Sequence, residues 1–245
     1  MEGFKSTLDY SFIVPVYNEK ENIFFFIKKI EEEFDNFSKN YEIIFVDDNS
    51  PDGTAKEIQK LSKKYPKIRL LQHGARNGLG AAVLFGYTNA KGNYIVGMDV
   101  DLSVSPTHLP KMINLIEKNN LGMIIGSRYL KKSEIINKSI LRKTGSVFFN
   151  FVASNLLKIN LSDPCHSFRI LKKEVVTNIS KKIKEKEHPS FFIELTYIVQ
   201  KDFSISEYPI KFVERNESQG KSKLSIKKGI ISYIKCIIRL YLSKK

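Results

Sequence analysis

The sequence contains no tryptophan and only two cysteines, Cys165 and Cys236, among its 245 residues. Neither cysteine belongs to a CxxC pair, so the sequence offers neither a zinc motif nor a disulfide framework. No apolar run reaches the roughly 18 residues that a membrane-spanning helix needs. The first residues also lack the basic-then-apolar layout of a secretory signal. These absences argue against a disulfide scaffold and a membrane span, and they predict a reducing compartment.

Acidic residues are too few to balance the basic ones, with 26 Asp and Glu against 40 Lys and Arg, a formal charge of +14. Such an excess favours anionic partners such as nucleic acid, anionic lipid or phosphorylated substrates, although a Lys-rich and Asn-rich composition explains part of it. Hydrophobic residues make up 42%, which is enough for a core. Because no internal repeat is present, we expect one α/β domain.

Apolar runs of strand length alternate with amphipathic helical repeats in the first half of the chain. Strands are predicted at Tyr10–Val16, Tyr41–Val46, Ile68–Gln72, Tyr94–Met98 and Gly122–Gly126. Helices are predicted from Ile23 to Phe34 and at Thr54–Lys64, Leu79–Ala90 and Leu109–Lys118. This alternation predicts βαβ units and a largely parallel sheet. Sheets of this kind bind ligands at the carboxyl ends of their strands.

The second half is less regular. Helices are predicted at Leu141–Leu157 and Phe191–Gln200, with one or two strands within Phe203–Val213 and a basic loop at Arg215–Lys223. We expect a catalytic domain over residues 1–224 and a basic, amphipathic helix over residues 225–245. One face of that helix would carry Ile230, Ile234, Ile237, Ile238 and Tyr241. Such a face is typical of a helix in the membrane interface, and equally of a terminal helix packed on a core.

Carboxylates follow two of the predicted strands. After the second strand, Asp52 or Thr54 is expected to cap the next helix. The adjacent pair Asp47-Asp48 is not explained by capping, and one of the two could accept hydrogen bonds from the base or ribose of a nucleotide. Asp99-Val100-Asp101 follows an apolar strand, so both carboxylates can approach one divalent cation. Mg²⁺ sites typically combine one or two carboxylates with substrate phosphates.

Several segments, in order along the chain, resemble those of family 2 glycosyltransferases, and within that family the dolichol-phosphate mannose synthases and their bacterial polyprenyl-phosphate relatives. They are IVPVYNEKENI, YEIIFVDDNSPDGT, RNGLGAAVLFGYTNAKGNYIVGMDVDLSVSP, GSRY, RKTGSVFFN, SDPCHSFRILKKEV and EYPIKFVERNESQGKSKL. The resemblance implies a GT-A type (Rossmann-like) α/β fold. Its mixed, mostly parallel sheet would be flanked by helices in one domain that ends in an amphipathic helix.

The resemblance also implies roles for individual residues. The nucleotide-sugar donor would be bound by Pro15, Tyr17, Glu19, Val46, Asp48, Asp99, Val100 (through its backbone), Asp101, Arg215 and Lys223. Mg²⁺ or Mn²⁺ would be held by Asp99 and Asp101, with Ser103 at a further ligand position. The phosphate of the acceptor would be received by Arg128, Arg142 and Ser146. Asp99, Asp101 and Arg128 are the predicted catalytic residues.

The implied reaction is the inverting transfer of a hexose from a nucleotide diphosphate sugar to polyprenyl or dolichyl phosphate. GDP-mannose is the first candidate donor and UDP-glucose the second. A metal together with Arg and Lys would stabilise the charge on the leaving diphosphate. A phosphate monoester is already ionised near neutral pH, so this acceptor needs alignment more than a general base.

Three positions depart from the family pattern. Val100 replaces a small Ala, which is tolerable if the residue acts through its backbone. His166 stands where Gly is usual, in a loop expected near the acceptor, and could reshape that site or titrate in it. The segment from Arg215 to Lys223 is longer than in the eukaryotic enzyme, so Lys221 is a second candidate for the phosphate-binding lysine.

Two other functions are compatible with parts of the sequence. A family 2 transferase acting on a sugar or lipid hydroxyl would usually need a general base. A non-catalytic binder of nucleotide sugars or nucleic acid is disfavoured by Asp99 and Asp101, so no nucleic-acid partner is predicted. We expect peripheral attachment to the cytoplasmic face of a membrane, with a small membrane protein as a further candidate partner.

Overall fold

The computed structural model describes residues 8–34, 39–72, 74–137, 140–186, 190–214 and 226–243, with the side chains of 140–143 and 226–228 left out. The strands are β1 (Tyr10–Val16), β2 (Tyr41–Asp47), β3 (Ile68–Gln72), β4 (Tyr94–Gly97), β5 (Met123–Ser127), β6 (Glu134–Ile136), β7 (Arg169–Lys172), β8 (Ile205–Pro209) and β9 (Lys211–Val213). The helices are α1 (Ile23–Phe34), α2 (Thr54–Lys64), α3 (Leu79–Asn89), α4 (Leu109–Lys118), α5 (Ile140–Leu157), α6 (Lys173–Ile179), α7 (Ser190–Asp202) and α8 (Ile226–Leu242).

Seven of the described strands form one sheet in the order β3-β2-β1-β4-β7-β5-β8. All neighbouring pairs are parallel except the two that involve β7, which runs against β4 and β5. β6 and β9 form a separate parallel pair. The predicted class, a mixed and mostly parallel sheet flanked by helices, is therefore confirmed.

Two apolar cores cover the two faces of this sheet. One face packs against α1, α2 and α4, and the other against α3, α6 and α7. Strand residues alternate between these cores, with Phe12 and Val14 of β1 in the first and Ile13 in the second. Burial on both faces explains why these strands are mainly apolar runs and do not alternate regularly between apolar and polar residues.

Gly86 allows α3 to lie directly on β1 and β2. A Cβ atom at this position would overlap Cγ2 of Ile13 and would lie 2.9 Å from Cγ2 of Val46. Gly86 is therefore required for close packing, because a side chain here would push the helix away from the sheet.

The C-terminal helix α8 has two different apolar faces. Cys236, Ile237 and Leu240 are buried in the same core as α7. Exposed apolar side chains line another part of the helix surface, namely Ile230, Ile231, Ile234, Ile238, Tyr241 and Leu242. The helix is thus a core helix on one side and an apolar surface on the other. The predicted domain boundary between residues 224 and 225 lies outside the described residues.

Strands β6 and β7 and helix α6 were not predicted. β7 begins with Arg169, whose side chain is completely buried, so the segment does not look like an apolar strand. Its antiparallel course brings the loop of residues 162–168 to the edge of the sheet where β4 and β5 end. We call it the acceptor-side loop because it contacts Arg128, a residue predicted to bind the acceptor phosphate. Among the described residues, no helix combines the length and apolarity needed to cross a membrane.

Candidate active site

The carboxyl ends of β1, β2, β4 and β5 lie at one edge of the sheet. Tyr17, Asp48, Asp99 and Arg128 each stand within two residues of the end of their strand. Because these strands are parallel, residues far apart in the chain are collected along this edge. The predicted donor residues lie toward β2 and the predicted acceptor residues toward β5.

The carboxylate of Asp48 fixes the loop before α3. It accepts hydrogen bonds from the backbone N–H groups of Asn77 (2.7 Å) and Gly78 (2.9 Å), and the side chain is buried. Asp47 is buried as well and accepts a hydrogen bond from the N–H of Ser50 at 3.2 Å. Both carboxylates thus shape loops at the sheet edge, and a nucleotide contact for Asp48 remains a prediction.

The turn after β1 is locked to the turn after β2. The N–H of Asn18 donates to Ser50 Oγ (2.9 Å), and the N–H of Glu19 donates to Thr54 Oγ1 (3.0 Å). The N-cap position of α2 is Gly53, not Asp52 or Thr54 as expected, but Asp52 Oδ1 accepts from the N–H of Thr54 at 2.9 Å and so satisfies one donor of the first turn. These contacts hold the segment from Tyr17 to Glu19 at the sheet edge.

The other predicted donor residues of these strands differ in exposure. Pro15 and Tyr17 are half-buried. Val46 has no exposed surface, and its side chain packs under α3. A nucleotide could therefore touch Pro15 and Tyr17 directly, whereas contact with the Val46 side chain requires the neighbouring residues to move.

Arg76 is a feature of this edge that the sequence reading missed. Its guanidinium carbon lies 4.0 Å from the ring centroid of Tyr17, and one Nη lies 3.3 Å from the Tyr17 hydroxyl. The side chain is exposed and precedes the loop that Asp48 holds. Its position at the start of the RNGLG segment, directly before a helix, was the signal available in the sequence.

Asp99 and Asp101 lie on either side of a buried Val100, as the DxD spacing requires. The Ser167 hydroxyl donates to Asp99 Oδ2 at 2.7 Å, and the Ser103 N–H donates to Asp101 Oδ1 at 3.0 Å. Asp99 itself is exposed. The two carboxylates are therefore oriented by hydrogen bonds and remain at the surface of the sheet edge.

This set of oxygen atoms fits a hard divalent cation. Two carboxylates and the hydroxyl of Ser103 are the kind of ligand that Mg²⁺ and Mn²⁺ prefer. In the part of the chain that the structure describes, no cluster of three or more His, Cys, Asp or Glu suits a metal ion. Sites with so few carboxylates are usually completed by substrate phosphates, so Asp99 and Asp101 fit a metal shared with a diphosphate.

Arg128 forms a bidentate ion pair with Asp163 of the acceptor-side loop. Nε and one Nη of the arginine donate to the two carboxylate oxygens at 2.7 and 2.9 Å. Only 16% of the Arg128 side chain is exposed, and none of Asp163. Burial by itself would raise the pKa of Asp163, but the charge of Arg128 holds it below its ordinary value. Both groups therefore stay ionised, and the second Nη of Arg128 is not used in this pair.

Two polar side chains, those of Asn150 and Glu207, hold Asp163 and its loop in place. The Asn150 amide donates to Asp163 Oδ1 at 2.9 Å, which ties α5 to the acceptor-side loop. The carboxylate of Glu207 accepts from the N–H groups of Ser162 and Asp163, both at 2.8 Å. The loop is thus connected to α5 and to β8.

Buried Arg169 holds the same loop from the other side. Its Nε donates to the carbonyl of His166 at 3.0 Å, and one Nη donates to the carbonyl of Pro164 at 3.3 Å. The other Nη donates to Thr196 Oγ1 of α7 at 3.2 Å. Burial lowers the pKa of Arg169. A buried arginine that binds carbonyl oxygens fixes a loop more firmly than apolar packing alone.

The remaining predicted site residues are described to different extents. Ser146 lies on α5 and hydrogen-bonds the side chain of Tyr129, next to Arg128. Arg142 is one helical turn earlier, and its side chain is not described. Arg215, Lys221 and Lys223 lie outside the described residues. The structure therefore brings Ser146 close to Arg128, while the diphosphate clamp stays a prediction.

His166 is buried, and its Nδ1 accepts a hydrogen bond from the N–H of Phe168 at 3.2 Å. Burial, assisted by the charge of Arg128, lowers the pKa of His166 to about 3. Of the two roles considered for this residue, the structure supports a shaping role and gives no support to titration near neutral pH.

A family model described as Glycosyl transferase family 2 matches residues 11–180, more than half of the chain. The chain belongs to glycosyl transferase family 2. The matched residues run from β1 to the end of α6 and include Asp99, Asp101 and Arg128. The family predicted from the ordered segments is therefore confirmed.

Curated relatives resemble the chain over most of its length. A dolichol-phosphate mannosyltransferase of Pyrococcus furiosus is 35% identical over 94% of this chain, which spans 63% of that relative. A dolichol-phosphate mannosyltransferase of Saccharomyces cerevisiae is 31% identical over 97% of this chain and 89% of its own length. A polyprenol monophosphomannose synthase of Mycolicibacterium smegmatis is 30% identical, with coverages of 87% and 80%.

Solved structures share the fold at low sequence identity. A glucosyl-3-phosphoglycerate synthase from Mycobacterium tuberculosis, in complex with phosphoglyceric acid, has a TM-score of 0.68 at 16% identity, covering 95% of this chain and 80% of that one. A mannosyltransferase from Pyrobaculum calidifontis, in complex with GDP-Man and Mn²⁺, has a TM-score of 0.61 at 16% identity, covering 97% and 65%. These likenesses support the GT-A assignment of the fold.

Proposed function

We propose that this family 2 member is a metal-dependent, inverting transferase that moves a hexose from a nucleotide diphosphate sugar to polyprenyl or dolichyl phosphate. The names of the three curated relatives support mannose as the sugar and a polyprenyl phosphate as the acceptor. GDP-mannose is therefore the first candidate donor and UDP-glucose the second.

One hydrogen bond carries the proposal, the bond of 2.7 Å from the Ser167 hydroxyl to Asp99 Oδ2. Ser167 belongs to the acceptor-side loop, and Asp163 of the same loop binds Arg128. A single loop thus joins the predicted metal carboxylate to the predicted acceptor-phosphate arginine. This arrangement suits a reaction in which a diphosphate leaves on one side while a phosphate oxygen attacks on the other.

In the proposed reaction, an oxygen of the acceptor phosphate forms a bond to the anomeric carbon of the sugar. The bond from that carbon to the diphosphate breaks, and the nucleoside diphosphate leaves with both bonding electrons. Asp99 and Asp101 would hold the metal, which supplies Lewis-acid stabilisation of the leaving diphosphate. Arg128 would orient the acceptor phosphate through the Nη that its pair with Asp163 does not use, since guanidinium groups bind phosphate oxygens with defined geometry.

Two ionisable groups on the acceptor side, Asp163 and His166, are poor general bases, which is compatible with an acceptor that needs none. The carboxylate of Asp163 has a lowered pKa and is bound to Arg128. His166 has a pKa of about 3, with its Nδ1 already in a hydrogen bond. A hydroxyl acceptor would usually need a base of higher pKa, whereas an ionised phosphate does not.

Attachment to a membrane surface is supported by α8. Its exposed isoleucines lie beside Lys235, and the chain carries a net charge of +14. On α5, Phe148 and Phe151 are exposed as well, within two turns of Ser146. Apolar side chains next to basic ones bind anionic lipid surfaces. We therefore propose peripheral attachment to an anionic bilayer, the surface from which a lipid phosphate would be taken.

The decisive experiment incubates purified protein with Mg²⁺ or Mn²⁺, short-chain polyprenyl phosphate and a panel of nucleotide sugars. We expect glycosylated lipid with GDP-mannose, and loss of product on chelation of the metal. Matched vesicles with and without anionic lipid test attachment, which should require the anionic lipid. A folded protein that forms no lipid product from any donor would overturn the proposal, and transfer to a free polyprenol instead would favour the hydroxyl alternative.

A further inference from the structure

Tyr233 of α8 contacts two separate segments of the acceptor side. Its hydroxyl lies 3.1 Å from Sγ of Cys165, at hydrogen-bond distance for sulfur. Its ring meets the ring of Phe149 edge to face, with centroids 6.1 Å apart and an interplanar angle of 89°. One side chain of the C-terminal helix therefore bridges the acceptor-side loop and α5.

Both of these segments carry predicted acceptor-phosphate groups. Cys165 is two residues after Asp163, which binds Arg128. Phe149 is three residues after Ser146 on α5, close to one helical turn away. The spacing between the arginine and the serine therefore depends on the two segments that Tyr233 connects.

Polar contacts hold α8 firmly enough for Tyr233 to act as a fixed point. Arg239 donates to Glu194 at 2.9 Å and pairs with Glu185 at 3.2 Å. Glu194 is only 2% exposed, and a buried carboxylate in such a pair resists displacement. The hydroxyls of Ser232 and Ser190 lie 2.7 Å apart and add a second link to α7.

The contact between Tyr233 and Cys165 is a contact of neutral groups. Burial raises the pKa of the Cys165 thiol to about 12 and also raises the pKa of the Tyr233 phenol. Thiol and phenol therefore keep their protons near neutral pH, and the contact orders the loop without changing the charge around Arg128.

We propose that Tyr233 is a positioning residue for the acceptor. By holding the acceptor-side loop and α5 at a fixed separation, it sets Arg128 and Ser146 to face one phosphate group. This inference rests on the proposed function, because it names a residue that serves the same acceptor site. It assigns α8 a role in acceptor binding in addition to its apolar surface.

The test compares Tyr233→Phe, Cys165→Ala and the double variant with the wild-type protein, using short-chain polyprenyl phosphate in detergent. We expect each single change to raise KM for polyprenyl phosphate about threefold to tenfold, the effect of losing one hydrogen bond. The dissociation constant of the nucleotide sugar, measured by calorimetry, should stay unchanged. The double variant should resemble either single variant, because both remove the same contact.

Tyr65→Phe is the matched control. Tyr65 is half-buried at the C-terminal end of α2, at the opposite edge of the sheet, and its ring also contacts another element, with Nζ of Lys28 5.1 Å from the ring centroid. The Tyr65→Phe variant should keep the wild-type KM for polyprenyl phosphate. If the wild-type protein makes lipid product and Tyr233→Phe keeps its KM, or if donor and acceptor binding weaken together, the positioning role is wrong. A wild-type protein without product would remove the proposed function and this inference with it.

Discussion

On the donor side of the candidate site, the carboxylates of Asp48 and Asp101 accept hydrogen bonds from backbone N–H groups. On the acceptor side, the carboxylate of Asp163 is bound by the guanidinium of Arg128 and the amide of Asn150. The first arrangement orients the negative charge of a carboxylate through uncharged backbone groups. The second neutralises that charge inside the protein and leaves part of a guanidinium for an anion.

This difference fits the ligands proposed for the two sides. A metal with a diphosphate binds carboxylate oxygens, whereas a lipid phosphate needs a cation whose geometry is fixed. It also predicts different consequences of mutation. Loss of a carboxylate on the donor side should affect chemistry more than folding. Loss of the acceptor-side carboxylate should affect folding strongly, because it leaves a buried cation without its partner.

The largest effect is expected for Asp101→Ala. Removing this carboxylate takes away one of the two carboxylates predicted to bind the metal, so transfer should fall about 100-fold or more, as when one stabilising group of a transition state is lost. Turnover at saturating donor and metal, together with thermal unfolding, measures both consequences. The melting temperature should change little.

Asp9→Ala provides the control for Asp101→Ala. Asp9 is also half-buried and also accepts one backbone hydrogen bond at 3.0 Å, from Asn40, but it stands at the opposite edge of the sheet. The Asp9→Ala change should leave the rate of transfer unchanged. Equal turnover in the wild-type protein and Asp101→Ala would remove the metal assignment.

A smaller but still large effect is expected for Asp163→Asn, now on stability. The change leaves buried Arg128 without its counter-ion, so the free energy of unfolding should fall by about 3–5 kcal/mol. Asp48→Asn is the comparison, because Asp48 is also buried but binds only uncharged N–H groups among its described contacts. Its cost should be about 1–3 kcal/mol. Urea unfolding of both variants measures the two losses in free energy of unfolding. Equal losses would show that the ion pair of Asp163 does not distinguish the acceptor side from the donor side.

The donor side was the easier half to predict from sequence. β1, β2 and β4 are buried on both faces, so they are apolar runs, interrupted only by the hydrogen-bonded pair Ser11 and Glu42, and each is followed within two residues by polar ones. Their parallel order then determines that Tyr17, Asp48 and Asp99 lie along one edge. Local periodicity was sufficient to predict these strands. The rule that parallel strands end at the same edge of a sheet was sufficient to place their polar residues together.

The acceptor side depends on contacts that no local pattern reveals. β7 begins with a buried arginine and runs against its neighbours, so neither apolar periodicity nor βαβ alternation indicates it. The ion pair of Arg128 joins residues 35 positions apart, and Tyr233 meets Cys165 across 68 positions. Asp163 lies within one of the segments that resemble the family, but nothing in that segment indicates that its partner is Arg128, at the end of β5.

Per unit of pH, the smallest of the expected effects concerns His166 and the dependence of stability on pH. The folded pKa of about 3 lies below the ordinary value of 6.5, so between these values the unfolded chain binds a proton that the folded chain does not. Stability therefore decreases as the pH falls from 6.5 toward 3, by at most about 1.4 kcal/mol per pH unit, and this contribution is constant above that range.

His166→Gln should remove this part of the slope of stability against pH. His108→Gln should remove less, because His108 is half-buried and burial lowers its pKa as well, but to a smaller extent. The free energy of unfolding of the three proteins across this pH range is the measurement. Parallel curves for His166→Gln and the wild-type protein would mean that His166 is protonated in the folded state, and that the acceptor-side loop opens to water more readily than its buried contacts indicate.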